Sequence, residues 1–242
     1  MLTYYPIWKG FLTTHFSEFQ LASVATFLLH ESVFFLSGIP FMVLERAGLL
    51  SKYKIQGKNN TMDAQEKCVL RLILYHFCVN FPVMIVSYPI FRSMGMRITL
   101  PLPPWKVVLS QIVFYFILED FIFYWGHRVL HTKWLYKHVH SVHHDQLQVR
   151  HPFGLTSEYA HPAEILFLGF ATILGPALTG PICSRSGCGW SSDADFHDYH
   201  HRVLYTKSGN YSSTFTYMDW LFGTDKGYRA GKAALNGEGK QA

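Results

Sequence analysis

The chain has 242 residues, a mass of 27.9 kDa and a formal net charge of +5 at pH 7. Hydrophobic residues make up 49% of it, aromatic residues 17% and charged residues only 15%. Because a soluble domain has about 25% charged residues, this composition excludes a disordered chain, a coiled coil and a collagen, and favours a protein partly immersed in lipid. The Lys and Arg residues are scattered without a basic stripe, which argues against a nucleic-acid partner.

The cysteines and the first residues carry no pattern of a secreted protein. Cys68 and Cys78 lie in an apolar stretch, and Cys183 and Cys188 flank a polar one, without the close pairing of a zinc ribbon or a disulfide framework. The first residues lack the apolar core and cleavage site of a signal peptide. We therefore expect the first long apolar stretch to serve as the targeting signal.

Three apolar segments, taken in chain order, predict helices in a membrane. Residues 20–44 and 72–91 are long enough to cross a bilayer, which takes roughly 20 helical residues. Residues 107–118 begin a third helix, which Glu119 and Asp120 interrupt. We expect the far end of this third helix to leave the membrane in a polar site.

The fourth apolar run, at 165–182, contains Gly175-Pro176 and Gly180-Pro181. We expect the chain to break at both pairs, which leaves residues 165–174, about half the hydrocarbon thickness in length at helical rise. Residues 183–193 have neither helical nor strand periodicity.

Histidine is the main chemical signal, with 14 in the chain and 11 of them from position 127 onward. The histidines form three clusters with spacings of three or four residues, which share one face of a helix. Each cluster is therefore expected to aim its imidazoles at one point. Glu119, Asp120 and Glu164 are expected either to orient the imidazoles from behind or to lie at solvated helix ends. His161, three residues before Glu164, is a further candidate. The predicted metal ligands are therefore His127, His131, His140, His143, His144, His161, His197, His200 and His201.

Eight clustered histidines exceed the four ligands of one structural zinc ion, so we predict two metal ions. Nitrogen ligands suit iron, copper, nickel and zinc, and a redox pair beside an apolar pocket favours O2 activation for attack on a lipid C–H bond. Glu31 has no assigned role, although an ionisable residue at membrane depth indicates function. The isolated histidines are expected to be core or interfacial residues: His15, His30, His76, His138 and His151.

The sequence around the three histidine clusters, which we call the histidine boxes, is similar to that of a known family. The order His-x3-His, His-x2-His-His and a later His-x2-His-His resembles the fatty acid hydroxylase superfamily of membrane di-iron oxygenases. The flanking segments resemble the plant-type sterol 4-alpha-methyl oxidases, also called methylsterol monooxygenases, of the second subgroup associated with 4-monomethyl sterols. These segments cover much of the chain: 120–128, 130–144, 153–164, 195–201 and 209–226.

This resemblance implies an activity, its partners and a location. It implies a non-haem di-iron enzyme of the endoplasmic reticulum membrane, with its metal site facing the cytosol. The enzyme would oxidise the 4-alpha-methyl group of 4-methylsterols with O2, through alcohol and aldehyde to acid. Electrons would come from NAD(P)H through cytochrome b5 and its reductase. The box histidines would be the iron ligands, and His161 matches a further histidine of the family.

The spans and boxes together predict an all-α integral membrane protein, with transmembrane helical hairpins beneath a cytosolic, histidine-rich helical cap. We expect a membrane-anchoring region at 1–106 and a fatty acid hydroxylase-like catalytic domain at 107–229, interrupted at 183–193. The remaining residues, 230–242, are expected to form a flexible tail.

The main departure from the family lies at 183–193. There the family has an apolar return helix, a His-Ser-Gly-Tyr ligand motif and a glycine-rich approach to the last box, and this chain has none of them. If 165–182 crossed the bilayer once, the third box would lie on the wrong side. Either this run is a re-entrant half-span bent at Gly175-Pro176, or the site is not assembled, and a lost ligand would weaken metal binding.

Three other functions stay open at the level of the sequence. The first is a catalytically inactive isoform that binds sterol or family partners, and the second is a related lipid hydroxylase. The third is a haem cytochrome with two histidine ligands. Adjacent His-His pairs argue against the haem, which uses one histidine on each face.

Overall fold

The computed structural model describes residues 10–12, 14–49, 51–53, 60–94, 104–144, 154–179, 194–203 and 208–238. Throughout these ranges the regular structure is helical and no strand occurs, so the predicted all-α fold is confirmed. His151, the pair Cys183 and Cys188, and the segment 183–193 lie outside the described residues.

Three long helices carry the predicted membrane segments: α1 is Gln20–Arg46, α2 is Met62–Ser93 and α3 is Trp105–Leu130. Each is long and apolar enough to cross a membrane. Their outward apolar side chains are exposed, with Leu36 at 75% and Val86 at 67%, as lipid-facing surfaces require. The chain is a multi-pass membrane protein, and all three helices extend beyond the apolar stretches that predict them.

The junction of α1 and α2 is fixed by side chains at the helix ends. Thr61 caps α2, because its Oγ1 accepts a hydrogen bond from the Ala64 N–H at 3.2 Å. Arg46, at the end of α1, donates to Gln65 Oε1 at 2.6 Å and pairs with Glu66 at 3.5 Å. These contacts hold the end of the first span beside the start of the second.

Both of the first two spans contain a π-helical turn, at Gln20–Ala25 in α1 and at His76–Asn80 in α2. Such turns are rare and frequently occur at functional sites. The turn in α2 brings the fully buried His76 against α1.

Shorter helices follow the spans: α4 is Lys133–His138, α5 is Pro162–Thr179, α6 is Ala194–Arg202, α7 is Tyr217–Phe222 and α8 is Lys226–Glu238. Short 3-10 turns lie at Ser51–Tyr53, His140–Val142 and Gly154–Glu158. Gly223 ends α7 in the left-handed conformation, with φ of 67°, which glycine adopts without steric cost.

One expectation about the chain's course is wrong, and the second expected break, at Gly180-Pro181, lies outside the described residues. Helix α5 continues through Gly175-Pro176 to Thr179 instead of breaking there. Pro176 lacks the backbone N–H that would bond the Thr172 carbonyl, so the helix loses one hydrogen bond there and still continues for three more residues. Helix α8 extends to Glu238, so the boundary expected at 229/230 falls inside a helix, and the division into domains stays a prediction.

Helix α5 packs antiparallel to α3 through two glycines. A Cβ on Gly126 would lie 3.1 Å from Phe167 and 3.0 Å from Leu168, and one on Gly175 would lie 2.6 Å from the Tyr115 ring. Small residues allow this close approach of membrane helices. The end of α3 and the start of α5 therefore lie together, and both contribute to the histidine-rich site.

Candidate metal centre

The first group of imidazoles joins all three sequence boxes. Their Nε2 atoms lie in a chain of close contacts, with His127 3.1 Å from His140, His140 3.0 Å from His131, and His131 3.2 Å from His200. His144 completes the group, 3.1 Å from His140 and 3.2 Å from His200. One ligand atom from each of the five lies within 4.8 Å of every other. We call these residues the five-histidine group.

In three residues of the five-histidine group, Nδ1, which points away from the group, donates a hydrogen bond to an oxygen atom. His127 Nδ1 donates to the Tyr211 carbonyl at 2.9 Å, and His200 Nδ1 donates to the Gly209 carbonyl at 2.6 Å. His140 Nδ1 donates to the Glu164 carboxylate at 2.8 Å. A carbonyl or carboxylate oxygen can only accept here, so the single proton of each neutral ring is on Nδ1. The unprotonated Nε2 atoms point into the group.

The inward nitrogens are placed so that they could hold a cation between them. With Nδ1 protonated, His127 and His140 present two lone pairs to each other at 3.1 Å. Two acceptors at that distance cannot hydrogen-bond and repel each other. A metal ion at the centre turns the same arrangement into coordination, and the bonds at Nδ1 set the direction of each ring.

A second group consists of His143, His197 and His201, whose ligand atoms also lie within 4.8 Å of one another. His197 Nε2 lies 3.0 Å from His201 Nε2, and His143 Nδ1 donates to the Tyr159 carbonyl at 3.2 Å. The rings of His144 and His201 have centroids 4.5 Å apart, so this three-histidine group adjoins the first group.

Burial favours the neutral, metal-binding form of these imidazoles. Burial lowers the pKa of His140 to about 3, and burial followed by the neighbouring histidines lowers the pKa of His197 to about 4. The pKa values of His143, His144 and His201 are lowered for the same reasons. Ligand nitrogens must be deprotonated to bind metal, and the site has that state near neutral pH.

The division of the boxes differs from the expectation that each would aim at one point. In the second box His140 and His144 join the five-histidine group, whereas His143 joins the other. In helix α6, His200 goes to the five-histidine group and His197 and His201 to the three-histidine group. Residues three or four apart share a face only broadly, and two adjacent centres divide that face.

One predicted ligand is not brought in. His161 belongs to neither group, and its Nδ1 accepts the Ala163 N–H at 3.2 Å at the start of α5. The ring therefore satisfies a backbone donor that the first turn leaves unpaired. The described residues do not place His161 in either histidine group, so its ligation stays a prediction.

The three candidate carboxylates have different roles. Glu164 orients His140, as described above. Asp120 is buried but neither orients a histidine nor faces solvent, because its Oδ1 accepts the N–H groups of Thr214 and Phe215, both at 2.9 Å. Glu119 reaches the Thr214 hydroxyl at 3.5 Å. The last two acids anchor the segment before α7 against α3.

Asp219 supports the site but was not predicted from sequence. Its carboxylate is fully buried and accepts the N–H groups of Tyr211 at 2.9 Å and Ser212 at 2.8 Å, together with the Thr224 hydroxyl at 2.5 Å. It thereby holds the backbone whose carbonyl receives His127. The only sequence signal was its place in a segment resembling the family.

Comparison with known proteins identifies the family. The family model described as fatty acid hydroxylase matches residues 112–191. Methylsterol monooxygenase 2-2 of Arabidopsis thaliana is 64% identical, with 96% of each chain covered. The chain belongs to the fatty acid hydroxylase family. Other relatives are methylsterol monooxygenase 2-1 of Arabidopsis thaliana, 61% identical over 93% of this chain and 96% of its own, and very-long-chain aldehyde decarbonylase GL1-11 of Oryza sativa subsp. japonica, 64% identical over 96% of each. No solved structure matches.

The alignments to these fatty acid hydroxylase relatives are longer than the part of this chain that they cover. The alignment with methylsterol monooxygenase 2-2 runs over 258 positions, whereas 96% of the 242 residues is about 232 residues. About 26 positions of the alignment therefore have no counterpart in this chain. This agrees with the absence of a family segment inferred from sequence.

Proposed function

We propose that this protein is a membrane di-iron monooxygenase that oxidises the C-4 alpha-methyl group of 4-methylsterols. The observation that carries the proposal is the inward arrangement of unprotonated Nε2 atoms in a family whose close members are named methylsterol monooxygenases. The five-histidine group would hold one iron and the three-histidine group the other. Bound iron would supply the activation of O2 that oxidation of an unactivated methyl group needs.

The protein's own residues would prepare this site in two ways. The acceptors behind Nδ1, including Glu164 and the Tyr211 carbonyl, direct the imidazoles before metal arrives. Burial keeps water away from the reacting centre, since His140 and His200 have no exposed surface. A site closed to bulk water suppresses side reactions of the oxidant.

From the family resemblance we further propose the electron donors, the location of the enzyme and its division into domains. Electrons would come from NAD(P)H through cytochrome b5 and its reductase, and the site would face the cytosol from the endoplasmic reticulum membrane. Residues 1–106 would anchor the chain and 107–229 would form the catalytic domain. The unmatched family segment would belong near 183–193, which would leave the second iron with fewer ligands than the first.

The test is expression in cells that lack their own sterol C-4 methyl oxidase, supplied with iron. We expect 4-methylsterols to fall and C-4-oxidised products to appear by mass spectrometry of extracted sterols. His143→Ala should abolish this conversion while sparing membrane insertion. His138→Ala is the matched control, because this ring bonds only the Trp134 carbonyl of its own helix among the interactions described.

Two other results would replace the proposal. The rice relatives' name suggests a second candidate, aldehyde decarbonylation. Conversion of a very-long-chain aldehyde to an alkane, without sterol oxidation, would support it. A membrane-stable chain that binds no iron and converts neither substrate would support the inactive isoform.

A further inference from the structure

A separate set of ionisable side chains lies where α1 and α2 meet the turn Gly154–Glu158. One ligand atom from each of His30, Glu31 and His76 lies within 4.8 Å of the others. Glu158 closes the set, with Oε1 3.4 Å from His30 Nε2 and Oε2 3.0 Å from His76 Nε2. We call these four residues the intramembrane cluster. No box histidine belongs to it.

The cluster concentrates charge where charge is costly. His76 is fully buried, Glu31 is 9% exposed, and both lie within helices long and apolar enough to span a membrane. Ionisable groups at this depth are rare and pair with one another or serve a function. Two carboxylates here need two positive charges, which two imidazolium rings or one divalent cation would provide.

The hydrogen bonding of His76 favours the cation. Its Nδ1 donates to Glu31 Oε2 at 3.0 Å, which puts the proton of the neutral ring on Nδ1. Its buried Nε2 makes no hydrogen bond, although Glu158 Oε2 is only 3.0 Å away. An imidazolium would align its second N–H with that carboxylate. The arrangement instead resembles that of His140, whose Nδ1 is held by Glu164 while Nε2 faces the five-histidine group.

We propose that His30 Nε2, His76 Nε2 and Glu158 bind a divalent cation of the zinc type, with Glu31 orienting His76 from behind. Two histidines and one glutamate are a common protein ligand set for zinc, with water as the fourth ligand. A carboxylate behind a ligating imidazole fixes its tautomer and direction. The ion would neutralise both carboxylates. This site does not depend on the oxidation proposed above.

The ion would act as a structural link between three parts of the chain. It would join α1, α2 and the turn Gly154–Glu158. The next residue, Tyr159, accepts His143 Nδ1 at its carbonyl and receives a hydrogen bond from Arg71 of α2 at its hydroxyl, at 2.8 Å. The cluster therefore holds the segment that orients one member of the three-histidine group.

The test must separate this ion from metal at the boxes. The background is the full chain with His143→Ala and His200→Ala, one change in each histidine group. Purified background protein is equilibrated with Zn²⁺, passed over chelating resin and analysed by plasma mass spectrometry. The histidines left in the five-histidine group retain zinc equally in both chains, so we expect the further change His76→Gln to lower the zinc content by about one ion per chain. His15→Gln is the control, since that ring bonds the Phe11 carbonyl of its own turn.

A folded background protein without zinc, or equal zinc in the His76→Gln and His15→Gln chains, would overturn the proposal and leave a metal-free, ion-paired cluster. If the background chain fails to insert, the same comparison is made in the otherwise unchanged protein. There His76→Gln should remove about one metal equivalent and leave iron unchanged. Unchanged total metal would again overturn the proposal. Because the readout is zinc content, failure of sterol oxidation would not affect it.

Discussion

Asp219 allows a sharp test of how the site is supported, because it touches no candidate ligand. Asp219→Asn keeps the shape of the side chain but turns one carboxylate oxygen into an NH2 group. Oδ1 accepts two hydrogen bonds and Oδ2 accepts one, from Ser212. The amide therefore keeps its oxygen at the Oδ1 position and turns its NH2 toward the Ser212 N–H, where two donors meet.

The expected cost follows from that one broken contact. A buried donor left unpaired costs about 1–3 kcal/mol, and the remaining hydrogen bonds lose the benefit of the negative charge. Movement of the Tyr211 carbonyl would then loosen His127. Loss of such support behind a ligating histidine lowers metal affinity about 10–100-fold.

The assay compares Asp219→Asn with Asp63→Asn, whose side chain is exposed and pairs only with Lys67 among the interactions described. We expect the first variant to melt at a lower temperature in detergent and to release iron at lower chelator concentration. Equal melting temperature and equal iron retention in the two variants would refute the assigned role of Asp219.

Three further predictions concern packing and metal. Glu164→Ala should weaken iron binding about 10–100-fold, because His140 loses its Nδ1 acceptor, and Glu164→Gln should weaken it less; equal iron titrations for both variants and the wild type would contradict this. Gly38→Ala should lower the melting temperature at a cost of about 1–3 kcal/mol, because its Cβ would lie 2.6 Å from Leu155 Cγ. Leu155→Ala should relieve much of that loss in the double variant, whereas strictly additive losses would exclude this contact as the cause. Removal of all metal should lower the melting temperature, because the imidazole lone pairs then face one another, and Fe²⁺ should restore it; an unchanged temperature would mean that no ion stabilises the fold.

Sequence patterns predicted the spans and the identity of the eight clustered histidines well. The apolar stretches were visible because a bilayer demands about 20 apolar residues in a row. The polar site at the far end of α3 was also predicted, since Glu119 and Asp120 interrupt the apolar run and make polar contacts. Local periodicity carries this information without any knowledge of distant contacts.

The assignment of histidines to two groups could not be predicted in the same way. His200 and His201 are adjacent in sequence, yet they belong to different groups. That choice depends on how α6 is rotated against α3, which is a tertiary property. For the same reason the sequence could not predict that the Gly209 and Tyr211 carbonyls accept hydrogen bonds from histidines, because any residue type offers a backbone carbonyl.

The isolated histidines show that the role of a residue cannot be predicted from its own position in the sequence alone. His76 was expected to be a core or interfacial residue, and it is indeed fully buried. Its contacts with Glu31 and Glu158 join residues far apart in sequence. No spacing rule connects those positions, so their association emerges only from the packing of α1 against α2.

The most direct test of the central claim is the iron content of the purified, iron-supplied chain and of a variant in each group. Two adjacent centres predict about two irons per chain, and His201→Ala should leave about one, because its group would keep only two imidazoles. His200→Ala should retain more iron than His201→Ala, since four members of its group remain. A folded, membrane-inserted wild-type chain that binds no iron, or a His201→Ala chain that still binds two, would contradict the account.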